Sequence, residues 1–180
     1  MGINNQIEPT KVIMNIWNKK QYCVIGIDPG ITGAIATVNQ DKVIITLADL
    51  PTYTATKSKK QLNAAELTNM MKSTNIEAKV YIEKVGAMPK QGVVSMFNFG
   101  KTCGIIEGVC AALQMPYEYV TPQKWKKAAG LIGQDKDYSR TIAIQQYPEV
   151  ASRLTRKKDI GRADALHIAM YGLKFSIANN

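Results

Sequence analysis

The segment "VIGIDPGITGA", residues 24–34, constrains the fold more than any other part of the chain. An unbroken apolar run, "YCVIGI" over 22–27, reads as a central strand, and Pro29, Gly30 and Gly33 end it sharply. Asp28 stands where that strand leaves the sheet. "GAIATV" (33–38) and "VIITLADL" (43–50) read as two more strands, with "NQDK" as the hairpin turn between them. Three adjacent strands therefore open the domain.

Helical spacing covers 61–72, and "KVYIE" (79–83) forms a short fourth strand. A long helix fills 93–113 and stops before Pro116, after which "YEYV" (117–120) is a fifth strand. Thr121-Pro122 starts a helix over about 122–129, with Thr suited to the cap and Pro to the first turn. Helices at about 136–146 and 161–177 follow, the last with Leu166, Met170, Leu173 and Ile177 as its apolar stripe. This order predicts an α/β fold with one mixed five-stranded sheet flanked by helices. With 180 residues, 46% of them hydrophobic, the chain supports one core, assigned to a single domain over 21–180. Residues 1–20 read as an N-terminal extension, and the Thr- and Lys-rich "PTYTATKSKK" (51–60) as a mobile loop.

Lys and Arg outnumber Asp and Glu by 23 to 14, a net charge of +9 that points to a polyanionic partner. Between 122 and 162 the count is ten basic residues against four acids. Lys124, Lys126, Lys127, Lys136, Arg140, Lys157 and Lys158 of that stretch make a candidate nucleic-acid face. No run of 18 apolar residues and no secretion signal is present, which predicts a soluble, cytoplasmic protein with no membrane partner. Cys23, Cys103 and Cys110 are odd in number and lack C-x-x-C spacing, so they read as core thiols rather than a disulfide framework or a zinc site.

Three acids stand where an element meets a loop: Asp28 after the first strand, Glu83 at the end of the fourth, and Asp164 in the first turn of the last helix. Neighbouring strand ends share a crevice in such a sheet, so residues 55 and 81 positions apart can meet. Converging carboxylates repel unless a cation lies between them. Hard carboxylate oxygens select Mg2+, with Mn2+ as a substitute, and two such ions roughly 3.5–4 Å apart can clamp the attacking and leaving oxygens of a phosphodiester. A carboxylate cluster on a basic chain suggests a nuclease. An actin-like ATPase also opens with a strand, an Asp and glycines, but needs a second phosphate-binding turn and about twice the length.

The segments "IGIDPGITGA", "VYIEKV" and "GRADALHIA", in that order, resemble the RuvC-type Holliday junction resolvases of the RNase H-like superfamily, over about residues 22–175. The resemblance implies an RNase H-like fold and a homodimeric, metal-dependent endonuclease that places paired nicks across a four-way DNA junction. It puts Asp28, Glu83 and Asp164 on the family's metal-binding acids and leaves any helicase partner undetermined. A further acid commonly lies three residues before the last Asp; here that position is Gly161. Asp159 either reaches the metal from the preceding loop or caps the helix. Lys136, six residues beyond Gly130, matches a family lysine near the scissile phosphate, and Lys126 is a looser match. Many relatives carry a wedging aromatic after the strand Glu, where this chain has Gly86; Met88, beside Lys90, is the candidate replacement for that DNA contact. A junction-binding protein with little catalysis and an RNase H-like nuclease acting on RNA or RNA/DNA hybrid remain alternatives.

Three features stay open at this level. Gly100, Gly104, Gly108 and Ala112 flatten one face of the long helix, which calls for close approach by either the sheet or a second subunit. His167, the only histidine, is a ligand-orienting group or a core residue, and Trp125 either stacks on a base or packs inward.

Overall fold

The computed structural model describes residues 21–56, 59–73, 77–86 and 92–177; the proposed extension over 1–20, Met88 and Lys90 lie outside them. The elements are β1 (Tyr22–Asp28), β2 (Ala34–Asn39), β3 (Ile44–Asp49), β4 (Thr52–Thr56), β5 (Lys59–Leu62), α1 (Ala64–Lys72), β6 (Glu77–Glu83), α2 (Val93–Ala112), β7 (Tyr117–Val120), α3 (Pro122–Ala129), α4 (Tyr138–Gln146) and α5 (Ile160–Ile177). The main sheet has the order β3-β2-β1-β6-β7. Its first three strands are antiparallel, and β1, β6 and β7 run parallel. This is the mixed five-stranded sheet expected from the sequence. Among the described residues no helix is long and apolar enough to cross a membrane.

Alternation along the strands divides the core into two layers. Cys23, Ile25, Ile27, Ile35, Val80 and Ile82 face α1 and α2, meeting Leu67, Met71, Ile106 and Val109. Val24, Ala36, Val38 and Tyr81 face the other way, toward Trp125, Leu166 and Ala169. Asp28 is two residues beyond Gly26 and Glu83 two beyond Tyr81. The period of two therefore puts both acids on the α5 side.

Contact between α5 and β1 is made through backbone. A Cβ on Gly26 would lie 2.3 Å from the Ala165 carbonyl oxygen and 2.4 Å from the Ala169 nitrogen. Only glycine admits the helix at that depth. The turn after Asp28 is equally restrictive, since a Cβ on Gly33 would fall 2.0 Å from the Asp28 carbonyl oxygen. The β2–β3 turn closes on Asn39, whose Oδ1 accepts from Asp41 N at 3.0 Å and Val43 N at 2.9 Å.

The structure corrects three local expectations. Residues 52–56 and 59–60 are strand and not loop: β4 and β5 pair antiparallel as a separate two-stranded sheet, with Thr52 opposite Leu62 and Tyr53 opposite Gln61. Alternating β-branched Thr residues favour extended pairing, and Leu62 anchors the hairpin in the core. The following helix begins at Ala64 rather than 61, because Asn63 caps it by accepting from Glu66 N at 3.2 Å. Thr121 does occupy the cap position of α3, but its side chain makes no cap hydrogen bond.

The glycine face of α2 is also resolved. A Cβ at Gly100, Gly104 or Gly108 would meet nothing within 4 Å, so the chain's own sheet does not approach this stripe. Val93, Val94 and Phe97 of the same helix are 83%, 67% and 72% exposed.

Gly26→Ala is expected to destabilise by about 3 kcal/mol or more, because a methyl group cannot enter a backbone-to-backbone contact without displacing α5. Thermal unfolding should show a fall in Tm of roughly 10 °C.

Candidate active site

β1 and β6 pair in parallel with Ile27 opposite Ile82, so the next residues, Asp28 and Glu83, leave the sheet side by side. Asp164 lies a full turn into α5, which starts at Ile160, and not in the first turn as expected; it is adjacent to the Ala165 carbonyl that abuts Gly26. The sheet register and the Gly26 contact thus bring together three acids remote in the chain. All three are half-buried.

Their proton affinities record the convergence. Burial, then the charges of Glu83 and Asp164, push Asp28 up to about 8, while Lys136 and Lys126 pull it down. Burial raises Asp164 to about 6; the Ser139 hydrogen bond and the two lysines oppose that rise, and Glu83 adds to it. Burial likewise raises Glu83, against a hydrogen bond from Trp125 and the fields of Lys126 and Lys136. Two lysines therefore face the trio, yet do not neutralise it.

Protein donors hold two of the acids. Trp125 Nε1 donates to Glu83 Oε1 at 3.0 Å, and the Ser139 hydroxyl donates to Asp164 Oδ1. Among the described residues no three His, Cys, Asp or Glu side chains form a ready-made ligand cluster. The acids are an open set that shares one field, with Glu83 and Asp164 each turned onto its own donor. Their oxygens are hard, anionic and short of compensating charge, a donor set that fits Mg2+ or Mn2+.

Asp159 lies apart from this set. It is 1% exposed and locked to Arg156, accepting from Arg156 N at 2.8 Å and pairing with Arg156 Nη2 at 2.6 Å. Arg162 Nη1 lies 4.0 Å away. These partners hold its carboxyl below the usual range and engage both oxygens. It is absent from the charges that shift Asp28, Glu83 or Asp164. Position 161, by contrast, opens directly onto the trio: a Cβ there would lie 3.1 Å from Asp28 Oδ2 and 3.1 Å from the Thr32 carbonyl oxygen.

The remaining basic candidates divide. Lys124 and Lys127 are exposed on α3, Lys136 on the loop to α4, and Lys157 and Lys158 on the short 3-10 turn before α5. Arg140 is turned inward, donating to the Leu154 carbonyl at 3.2 Å and to Asp137 at 3.1 Å. Trp125 is fully buried and packs inward, as does His167 at 3% exposure. Sequence reasoning missed Ser139 altogether. A serine near the start of a short helix carries no pattern that reveals its partner.

The architecture is a RuvC-like α/β fold. The chain is similar to the Thermus thermophilus RuvC structure at 16% identity, with 87% of this chain and 96% of that one covered and a TM-score of 0.52. It is similar also to T. thermophilus RuvC in complex with Holliday junction substrate, at 15% identity, 86% and 96% coverage and a TM-score of 0.51. No family model and no curated protein matches the sequence.

The electrostatics give a stability prediction for the cation-free protein. Below the ordinary Asp value of 3.8 both folded and unfolded chains hold the Asp28 proton. Between that value and about 8 the folded chain keeps a proton the unfolded chain has lost, so stability falls as pH rises and the loss is complete above about 8. Asp164 acts with the same sign up to about 6. Calorimetry in EDTA should show Tm falling from pH 5 to pH 8.5, and Asp28→Asn should flatten that slope and raise Tm at the alkaline end.

Proposed function

We propose that this chain is a metal-dependent endodeoxyribonuclease that resolves four-way DNA junctions by paired symmetric nicks. The observation that carries this reading is the meeting of Asp28, Glu83 and Asp164 at the C-terminal ends of the inner strands β1 and β6, within the fields of Lys126 and Lys136, in a fold shared with a neighbour solved in complex with Holliday junction substrate. The net charge of +9 suits a polyanionic substrate.

In this reading Asp28, Glu83 and Asp164 hold Mg2+ or Mn2+. When bound, the ion supplies Lewis-acid activation of water and of the scissile phosphate. Trp125 and Ser139 orient two of the acids, and Lys136 and Lys126 offset charge that builds on the phosphate in the transition state. Lys124, Lys127, Lys157 and Lys158 contact backbone phosphates farther along the DNA, as does Lys90, and Met88 is the candidate wedge at the junction centre. Arg140 contributes by holding α4 rather than by reaching the DNA.

Paired nicks on opposing strands need two sites, and the open glycine face of α2 with exposed Val93, Val94 and Phe97 suits contact with a second copy of the chain. The competing reading, junction binding with weak catalysis, is favoured by Gly161 and by the engagement of Asp159 with Arg156. Both leave the trio without a fourth carboxylate.

With Mg2+ and a mobile-core four-way junction, the wild-type chain should produce symmetric paired nicks. Asp28→Asn and Glu83→Gln should abolish them while binding the junction as tightly or more tightly, since each removes a negative charge near phosphate. A wild-type protein that binds the junction and never nicks it establishes the binding-only reading instead. Lys136→Ala should lower kcat by about 100-fold or more with little change in KM. In sedimentation velocity, Phe97→Glu should shift a dimer toward monomer.

A further inference from the structure

The donors that hold Glu83 and Asp164 come from different helices, Trp125 from α3 and Ser139 from α4. The segment joining these helices carries Lys136 and two glycines at positive φ, Gly130 at 73° and Gly133 at 75°. A third side chain, His167 on α5, touches both donors. Its ring stacks on the Trp125 indole with 6.4 Å between centroids and 10° between planes. Its Nε2 lies 3.0 Å from the Ser139 main-chain oxygen.

A carbonyl oxygen only accepts, so Nε2 carries the proton and the tautomer is set. Burial lowers the proton affinity of this histidine, consistent with a neutral ring that has one N–H to give. The ring is 3% exposed and spends that N–H on protein, which leaves it poorly placed to exchange protons with a substrate. What it does instead is connect. Glu83, Trp125, His167, Ser139 and Asp164 form one unbroken series of contacts from β6 through α3, α5 and α4 back to α5. The two ends of the series are two of the three carboxylates.

We propose that His167 is a positioning residue: by tying Trp125 to Ser139 it sets the separation of the Glu83 and Asp164 carboxylates and anchors both ends of the loop that carries Lys136. This rests on the nuclease reading. It adds that the spacing of the acids is determined by a clamp behind them as well as by the sheet. Groups that orient ligating carboxylates from behind typically change cation affinity or activity 10- to 100-fold when removed.

The test uses the full chain. Its two tryptophans are Trp17 and Trp125, so a Trp17→Phe background leaves Trp125 as a fluorescence reporter in direct contact with Glu83. In that background His167→Phe keeps an aromatic ring against the indole and removes the donor to Ser139. His167→Gln restores a donor without the ring. Titration with Mg2+, followed by Trp125 emission and by calorimetry, is expected to show affinity falling about tenfold in His167→Phe and recovering only in part in His167→Gln, which restores the tie to Ser139 but not the one to Trp125. Junction cleavage should follow the same order in kcat, with KM steady.

Folded His167→Phe with Mg2+ affinity within twofold of the parent overturns the clamp. Equal losses in both variants that track only a fall in Tm overturn it too, since they mark a packing role. A parent that binds Mg2+ but never cleaves overturns the nuclease reading alone, and the affinity comparison still decides the clamp. A parent that binds no Mg2+ overturns both.

Discussion

The approach of α5 to β1 at Gly26 is the constraint on which the rest of the molecule depends. With a carbonyl oxygen and an amide nitrogen where a side chain would otherwise stand, helix and strand meet backbone to backbone. That depth puts Asp164 level with the end of β1. Parallel pairing of β1 with β6 then adds Glu83 beside Asp28. A wider helix-to-sheet spacing, of the usual side-chain-mediated kind, would leave Asp164 a layer away from its partners.

Convergence of the acids works against the stability of the fold. Half-buried carboxylates raise one another's proton affinity, and two facing lysines relieve only part of the repulsion. Functional sites characteristically retain strain of this kind because the ligand that relieves it is part of the chemistry. Here the surrounding structure accommodates the strain through donors placed behind the acids, the Trp125 indole and the Ser139 hydroxyl. The neighbouring acid Asp159 shows the contrast. Fully paired with Arg156, it is held in its charged form and takes no part in the shared field.

Much of the fold was legible because its elements carry strong local signals. Apolar runs punctuated by Pro and Gly marked β1, β2 and β3, and the apolar stripe of the last helix marked α5. The β4–β5 hairpin was not legible. Its Thr- and Lys-rich composition is that of a loop, and only Leu62, seated in the core, draws it into a pair of strands. The flat glycine face of α2 was visible in the spacing, but whether the sheet lay against it was not. That depended on which way the helix was rolled, and the structure rolls it toward open space.

The chain by itself determined the kind of chemistry available: two acids at strand ends and a third early in the last helix, a surplus of basic residues, and the strand and helix order that can gather the acids at one end of the sheet. Local composition and periodicity suffice for that, because each is a property of neighbouring residues. Tertiary structure alone decided which side chains serve the acids. Trp125 packs inward and donates to Glu83, Ser139 pairs with Asp164, and Arg156 withdraws Asp159. Partners 42, 25 and 3 residues apart follow no common spacing, since hydrogen bonds are chosen by where packing leaves a donor and an acceptor within about 3 Å.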